Sequence, residues 1–144
     1  MRLTNLDMEE WKQSAPYVDS LLVPVYGIRL PGKQPELFGP RLTERVAKAV
    51  EQELTGRLLL MPAIPYQGLD DKVFFSYIDS VVRELAPYGF HHLFFLGEGK
   101  LFPRGLEEAG YRWINLEPEK RGLEEETESV IQLIVRVWET ESGE

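Results

Sequence analysis

Apolar residues fall along this chain in two kinds of run. Leu21-Leu22-Val23-Pro24-Val25-Tyr26-Gly27 and Arg57-Leu58-Leu59-Leu60-Met61-Pro62 are short and continuous, as buried strands are. Between them Leu42, Val46, Ala49, Val50 and Leu54 recur at the three-to-four spacing of one helical face. A parallel return needs a crossover of a dozen or more residues, so Ser20 to Gln67 reads as one strand-helix-strand unit with parallel strands. Pro40 suits the helix's first turn and Gly56 its end. Pro24 removes a ladder donor, which places the first strand at an edge, bulges it, or ends it at Val23.

The same alternation continues. A helix from about Val73 to Tyr88 would bury Phe74, Ile78, Val81, Val82 and Leu85 and stop at Gly89 in the left-handed conformation. The strand His91 to Leu96 then runs into a tight turn, Gly97-Glu98-Gly99-Lys100. A short helical piece, Pro103 to Ala109, stops at Gly110 before the strand Tyr111 to Asn115. Gly56, Gly89 and Gly110 thus punctuate successive units at one place, as repeated αβ units require. Upstream, Asp7 is an N-cap for a short helix curtailed by Pro16. In the tail, Val130, Ile131, Leu133, Ile134, Val135, Val137 and Trp138 fit a broad helical face, yet Ile131, Leu133, Val135 and Val137 also alternate as in a strand. Helix is favoured, because Glu124 to Glu128 fill an acidic first turn and the β-α order calls for one there. The expected fold is one α/β domain spanning residues 1–144. It is a three-layer α/β/α sandwich on a mostly parallel sheet of about four strands, with a core of Leu58, Leu60, Leu93, Phe95, Ile114, Val46, Val50, Phe74, Ile78, Val81 and Leu85.

Composition narrows the functions. A net charge of -8 leaves no basic footprint for a phosphate backbone, so nucleic acid is not an expected partner. The apolar runs are strand-sized and the N-terminus has no apolar segment of signal-peptide length, which points away from a membrane and toward the cytoplasm. With no cysteine there is no disulfide, thiolate nucleophile or cysteine-ligated metal.

Candidate chemistry is sparse. His91 and His92 are the only histidines, and neighbours on a strand point to opposite faces, so they do not converge on one metal. Gly97-Glu98-Gly99-Lys100 lacks the G-x-x-x-x-G-K-[ST] spacing of a phosphate loop, with Leu101 where the hydroxyl should stand. Ser76 and Ser80 sit in a helical pattern, and no G-x-S-x-G elbow exists. Glu36, Asp70, Asp71 and Glu98 fall in or beside loops at strand carboxyl ends, where carboxylates serve acid-base work, a hard cation, or simply a solvated rim. Ligands of open α/β sheets bind outside those ends, so Tyr26, Arg29, Tyr66, Gln67, Glu98 and Lys100 are the candidate site. The alternative is that both tyrosines cap the core. An exposed Phe38 in the long loop would indicate a partner surface instead of a pocket.

Tyr17-Val18-Asp19-Ser20 with Pro24, Gly56-Arg57-Leu58-Leu59-Leu60-Met61-Pro62 with Tyr66, Gly89-Phe90-His91-His92-Leu93-Phe94-Phe95-Leu96 and Trp138 together resemble the YpiF-like proteins of Bacillus-type bacteria, over most of the chain. That family is one of unknown function, so the resemblance implies a cytoplasmic bacterial setting and no activity. A fainter resemblance is to the creatininase family of metal-dependent amidohydrolases. It rests on the strand Leu21 to Val25, the helix around Glu44-Arg45-Val46-Ala47, Pro62 to Tyr66, and Gly89-Phe90 leading to a glycine-rich turn. The ligands of that family are missing: Tyr26 to Lys33 holds neither Glu nor His, Gly39 stands near the expected Asp, and Gly99 near the expected His. The resulting expectation is a non-enzymatic binding or assembly protein on a creatininase-like scaffold, without metal or cofactor. Its ligand would be a small molecule or a protein partner, and it could form a homo-oligomer through Val130 to Trp138. The alternative is a metal-dependent amidohydrolase with a reduced, carboxylate-rich site.

Overall fold

The computed structural model describes residues 1–99 and 111–142. Lys100, the helical piece expected at Pro103 to Ala109 and its stop at Gly110 lie outside the described residues. Four strands, β1 (Ser20–Pro24), β2 (Leu58–Leu60), β3 (His92–Glu98) and β4 (Tyr111–Leu116), form one sheet in the order β2-β1-β3-β4, every pair parallel. The α-helices among the described residues are α1 (Met8–Ser14), α2 (Phe38–Glu53), α3 (Asp71–Leu85) and α4 (Leu123–Ser142). The expected class, α/β with a four-stranded parallel sheet, is what the chain adopts.

Because successive strand residues face opposite sides, the core divides in two. Leu22, Leu58, Leu60, Phe94 and Leu96 pack with Val46 and Val50 of α2 and Val130, Ile134 and Trp138 of α4. Leu21, Val23, Leu59, Leu93 and Phe95 pack with Phe74, Ile78 and Val82 of α3, with Trp11 of α1 at the margin. The core residues expected as one group therefore belong to two layers, and Val81 and Leu85 are only half-buried. The path from β1 to β2 crosses one face through α2, and the path from β2 back past β1 to β3 crosses the other through α3. Reversing both direction and face keeps a single hand of crossover, as twisted parallel sheets demand.

Three local expectations need correction. β1 lies inside the sheet, and β2 is an edge strand, its outer side joined by Arg2, with Leu60 N–H donating to the Met1 carbonyl at 2.8 Å. Pro24 is tolerated inside because it ends β1. Its carbonyl accepts from Ile64 N–H on the β2 side at 2.8 Å, so the donor it lacks faces the same way, past the last residue of β2. Gly56 is not left-handed; α2 closes at Leu54, whose N–H bonds the Val50 carbonyl at 3.1 Å, and the next residues turn without special backbone. Gly89 does have φ 92°. Finally, Gly97 and Glu98 belong to β3 rather than to a turn.

The tail resolves as helix. Val130, Ile134, Val137 and Trp138 are buried along one side of α4, and Ile131, Leu133 and Val135 pack half-buried at its margins. The stripe is broad because it seals the sheet. Buried Glu126 in its first turn accepts Glu117 N–H at 2.6 Å and pairs with Arg121 at 3.6 Å, fixing the chain's entry from β4.

Candidate functional site

The strand order reverses between β1 and β3, so a crevice must open where the chain leaves their carboxyl ends. It does. A cleft of about 630 Å³ is lined by Tyr26, Gly27 and Arg29 after β1, by Glu36 to Pro40 at the start of α2, by Glu98 of β3, and by Pro118 and Glu119. The loop from Tyr26 to Phe38 is tied to its neighbour by Tyr26 N–H on the Ile64 carbonyl (2.9 Å) and Ile28 N–H on the Pro65 carbonyl (2.8 Å). It folds on itself through Glu36 N–H on the Arg29 carbonyl, 3.0 Å. That fold separates the first cleft from a second, about 600 Å³, lined by Ile28, Arg29, Leu30, Tyr66, Gln67, Leu69 and Asp71.

The expected site residues are thus shared between two clefts. Tyr26 and Glu98 line the first, Tyr66 and Gln67 the second, and Arg29 both. Tyr26 is half-buried, and burial, reinforced by the negative charge of Glu44, pushes its phenol above the ordinary 10.0. Tyr66 is 62% exposed, so it does not cap the core. Gln67 donates to Asp71 at 3.1 Å, and Asp70 caps α3 by accepting Lys72 N–H at 2.9 Å.

Glu98 has a structural engagement that its sequence neighbours do not reveal. Its carboxylate lies where a Cβ on Gly39 would stand, against the first turn of α2. That turn has no side-chain cap and no acidic residue of its own, so a carboxylate there answers the helix's positive end. Buried Thr43 holds the same turn by donating to the Gly39 carbonyl at 2.9 Å. Among the described residues no three His, Asp or Glu side chains gather to hold a metal ion.

A second polar constellation sits at the opposite, amino edge, where β1, β2 and β3 begin. Arg57 grips both oxygens of Asp19 (2.9 and 3.0 Å) and lies 4.3 Å over the Trp138 ring. Trp138 Nε1 donates to Ser20 Oγ at 2.8 Å, and Ser20 Oγ donates to Asp19 at 2.9 Å. Backbone N–H groups of His91 and His92 bond the Asp19 carbonyl, at 2.9 and 3.2 Å. Burial alone would raise the Asp19 carboxyl; the Arg57 and Ser20 hydrogen bonds and the charges of Arg57 and His92 outweigh it and hold it below 3.8. Despite the nearby Asp and His, Ser20 is no nucleophile: it is wholly buried and its proton is given to a carboxylate. Ser76 and Ser80 are exposed on α3. The signal for this cluster was available in the sequence, since Asp19 and Arg57 each stand just upstream of a strand that had to be parallel to the other.

Phe38, at the rim of the first cleft, is 73% exposed. The arrangement defines a doubly wound α/β protein with open, aromatic-rimmed clefts at its strand-order reversal. Residues 9–138 match the model of a family described as protein of unknown function, DUF2487, and the chain belongs to that family. No curated protein and no solved structure matches it.

Proposed function

We propose that this chain is a non-enzymatic binding or assembly protein of the bacterial cytoplasm, and that a partner or ligand seats on the carboxyl edge around Tyr26, Arg29, Tyr66, Gln67 and Glu98. The observation that supports this is the apolar rim of the two switch-point clefts: Phe38 is 73% exposed there together with Leu30 and Tyr66, and exposed apolar side chains gathered around a cleft favour a ligand or partner seating on it. Arg29 supplies a donor between the two clefts. The cysteine-free composition suits a reducing compartment. Kinship to the YpiF-like proteins, and to a creatininase scaffold emptied of its ligands, forms part of this reading. In its favour, Gly39 and Gly99, which stand near the Asp and His expected of that family, lie beside Glu98, one of the carboxylates at that edge together with Glu36, Asp71 and Glu119.

A fragment screen read by protein-observed NMR tests it. Hits should shift Tyr26, Arg29, Tyr66 and Gln67, and Phe38→Ser and Tyr66→Ala should weaken them without moving Tm. Shifts confined to Asp19, Arg57 and Trp138 would move the site to the amino edge. Stoichiometric Mn²⁺ or Zn²⁺ uptake, abolished by Glu98→Ala, would favour a metal-dependent amidohydrolase instead.

A further inference from the structure

We propose that the second cleft, beside Tyr66, binds a free α-amino acid with an apolar side chain, its carboxylate on Arg29 and its ammonium on Glu36. The inference rests on the binding-protein reading and names the ligand class for one of the two clefts. Arg29 and Glu36 face each other across the antiparallel bridge of the Tyr26 to Phe38 loop, where Glu36 N–H donates to the Arg29 carbonyl at 3.0 Å. Directly opposed residues of such a pair carry their β-carbons about 5 Å apart on one face. Their charges nonetheless form no ion pair with each other. Among the described residues neither side chain makes a hydrogen bond or salt bridge to any other group, and both line the cleft. Asp71, the other carboxylate there, accepts from Gln67 at 3.1 Å.

A guanidinium and a carboxylate standing unengaged on one wall suit a ligand that carries both opposite charges close together. In an α-amino acid the ammonium and the carboxylate share one carbon, so one molecule can bridge the two side chains with charge-assisted hydrogen bonds at each. A simple anion would meet Glu36 and a simple cation would meet Arg29, each at like charge. The rest of the wall is apolar: Leu30, Tyr66 and Leu69 are exposed around it. That selects an apolar side chain, and about 600 Å³ is ample for one. The first cleft shares Arg29 and Glu36 but adds Glu98 and Glu119, whose charge opposes a ligand carboxylate. The loop presenting the pair is closed by its own turn. Lys33 N–H bonds the Leu30 carbonyl at 3.1 Å, Gln34 N–H bonds the Pro31 carbonyl at 3.0 Å, and Gly32 and Lys33 are left-handed with φ 57° and 64°. The two charges are thus brought side by side before any ligand arrives.

The probes are L-phenylalanine and L-leucine, titrated into the full chain and read by amide shifts and calorimetry. Saturable one-to-one binding is expected, with shifts centred on Gly27 to Pro31, Glu36 and Tyr66 to Asp71. N-acetyl-L-phenylalanine lacks the ammonium and L-phenylalanine amide lacks the carboxylate, and each should bind about tenfold or more weakly. Arg29→Gln and Glu36→Gln should each weaken the amino acid by a similar factor at unchanged Tm, since neither side chain holds the fold. Each should also lose one discrimination: Arg29→Gln between the acid and its amide, Glu36→Gln between the amine and its acetylated form. Absence of binding by both amino acids, derivatives that bind as well as phenylalanine, or variants that leave its affinity intact overturns the proposal. Fragment hits at Tyr26 and Phe38 that survive Arg29→Gln would keep the wider reading while this one falls; hits confined to Asp19 and Arg57 would remove both.

Discussion

The Glu98 carboxylate occupies the space that a β-carbon on Gly39 would fill, so the end of β3 and the start of α2 are fitted to each other through the absence of one methyl group. Gly39 is inside a helix and its φ is not positive, so alanine is conformationally acceptable there. What alanine would do is push the carboxylate off the helix's first turn.

Two opposing effects make this measurable. Gly→Ala in a helix is worth roughly 0.5–1 kcal/mol in favour of folding, and a carboxylate at a helix N-terminus about 0.3–1 kcal/mol. In a Glu98→Ala background, Gly39→Ala should therefore stabilise. In the wild-type background the gain should vanish or reverse. Urea denaturation of the four proteins gives the coupling, and additivity within error would show that the contact carries no energy.

Gly56 and Gly89 occupy matching places after α2 and α3 but should answer mutation with opposite sign. An added Cβ meets nothing within 4 Å at either, so only backbone conformation distinguishes them. Gly89→Ala forces a left-handed residue and should cost about 1 kcal/mol or more, while Gly56→Ala should be neutral or stabilising by up to about 1 kcal/mol. Equal Tm shifts would contradict the assigned φ values.

Trp138→Phe keeps an aromatic face under Arg57 but loses the donor to Ser20 Oγ. The buried oxygen then lacks one partner, and the expected loss is about 1–3 kcal/mol. Trp138→Ala adds a cavity and should cost about 3–5 kcal/mol. If the Phe variant is as stable as wild type in chemical denaturation, the 2.8 Å bond contributes nothing.

Asp19 makes stability depend on acid. Its folded carboxyl titrates below 3.8, held there against burial by Arg57, Ser20 and His92. The unfolded chain thus binds its proton first as pH falls, so the contribution is present above the unfolded value and is lost as pH drops through the folded one. Glu51, held below 4.5 against burial by the Met1 amino group and Arg2, adds to the same acid limb. Asp19→Asn should be less stable than wild type at neutral pH, with the gap narrowing below pH 3.8. A gap that stays constant down the acid limb would place the Asp19 charge outside the stability balance.

The amino-acid sequence by itself determined the alternation of strands and helices and the parallel sheet, and favoured a helical tail while leaving a strand open there. Leu58-Leu59-Leu60 is a strand buried on both faces, and Val130, Ile134 and Trp138 share one face of a helix, because backbone geometry converts local spacing into a buried side. It also located the candidate edge, since parallel strands send their exits the same way. Only the tertiary structure decided which strand lies where. Three apolar residues read alike in an edge strand and a central one, and β2 has its outer edge joined by Arg2, from the far end of the sequence. The division of the candidate residues between two clefts, Glu98 against Gly39, and Trp138 reaching Ser20 across 118 positions arise the same way. Each depends on register between segments distant in the chain, and local periodicity carries no information about which distant segment a residue will face.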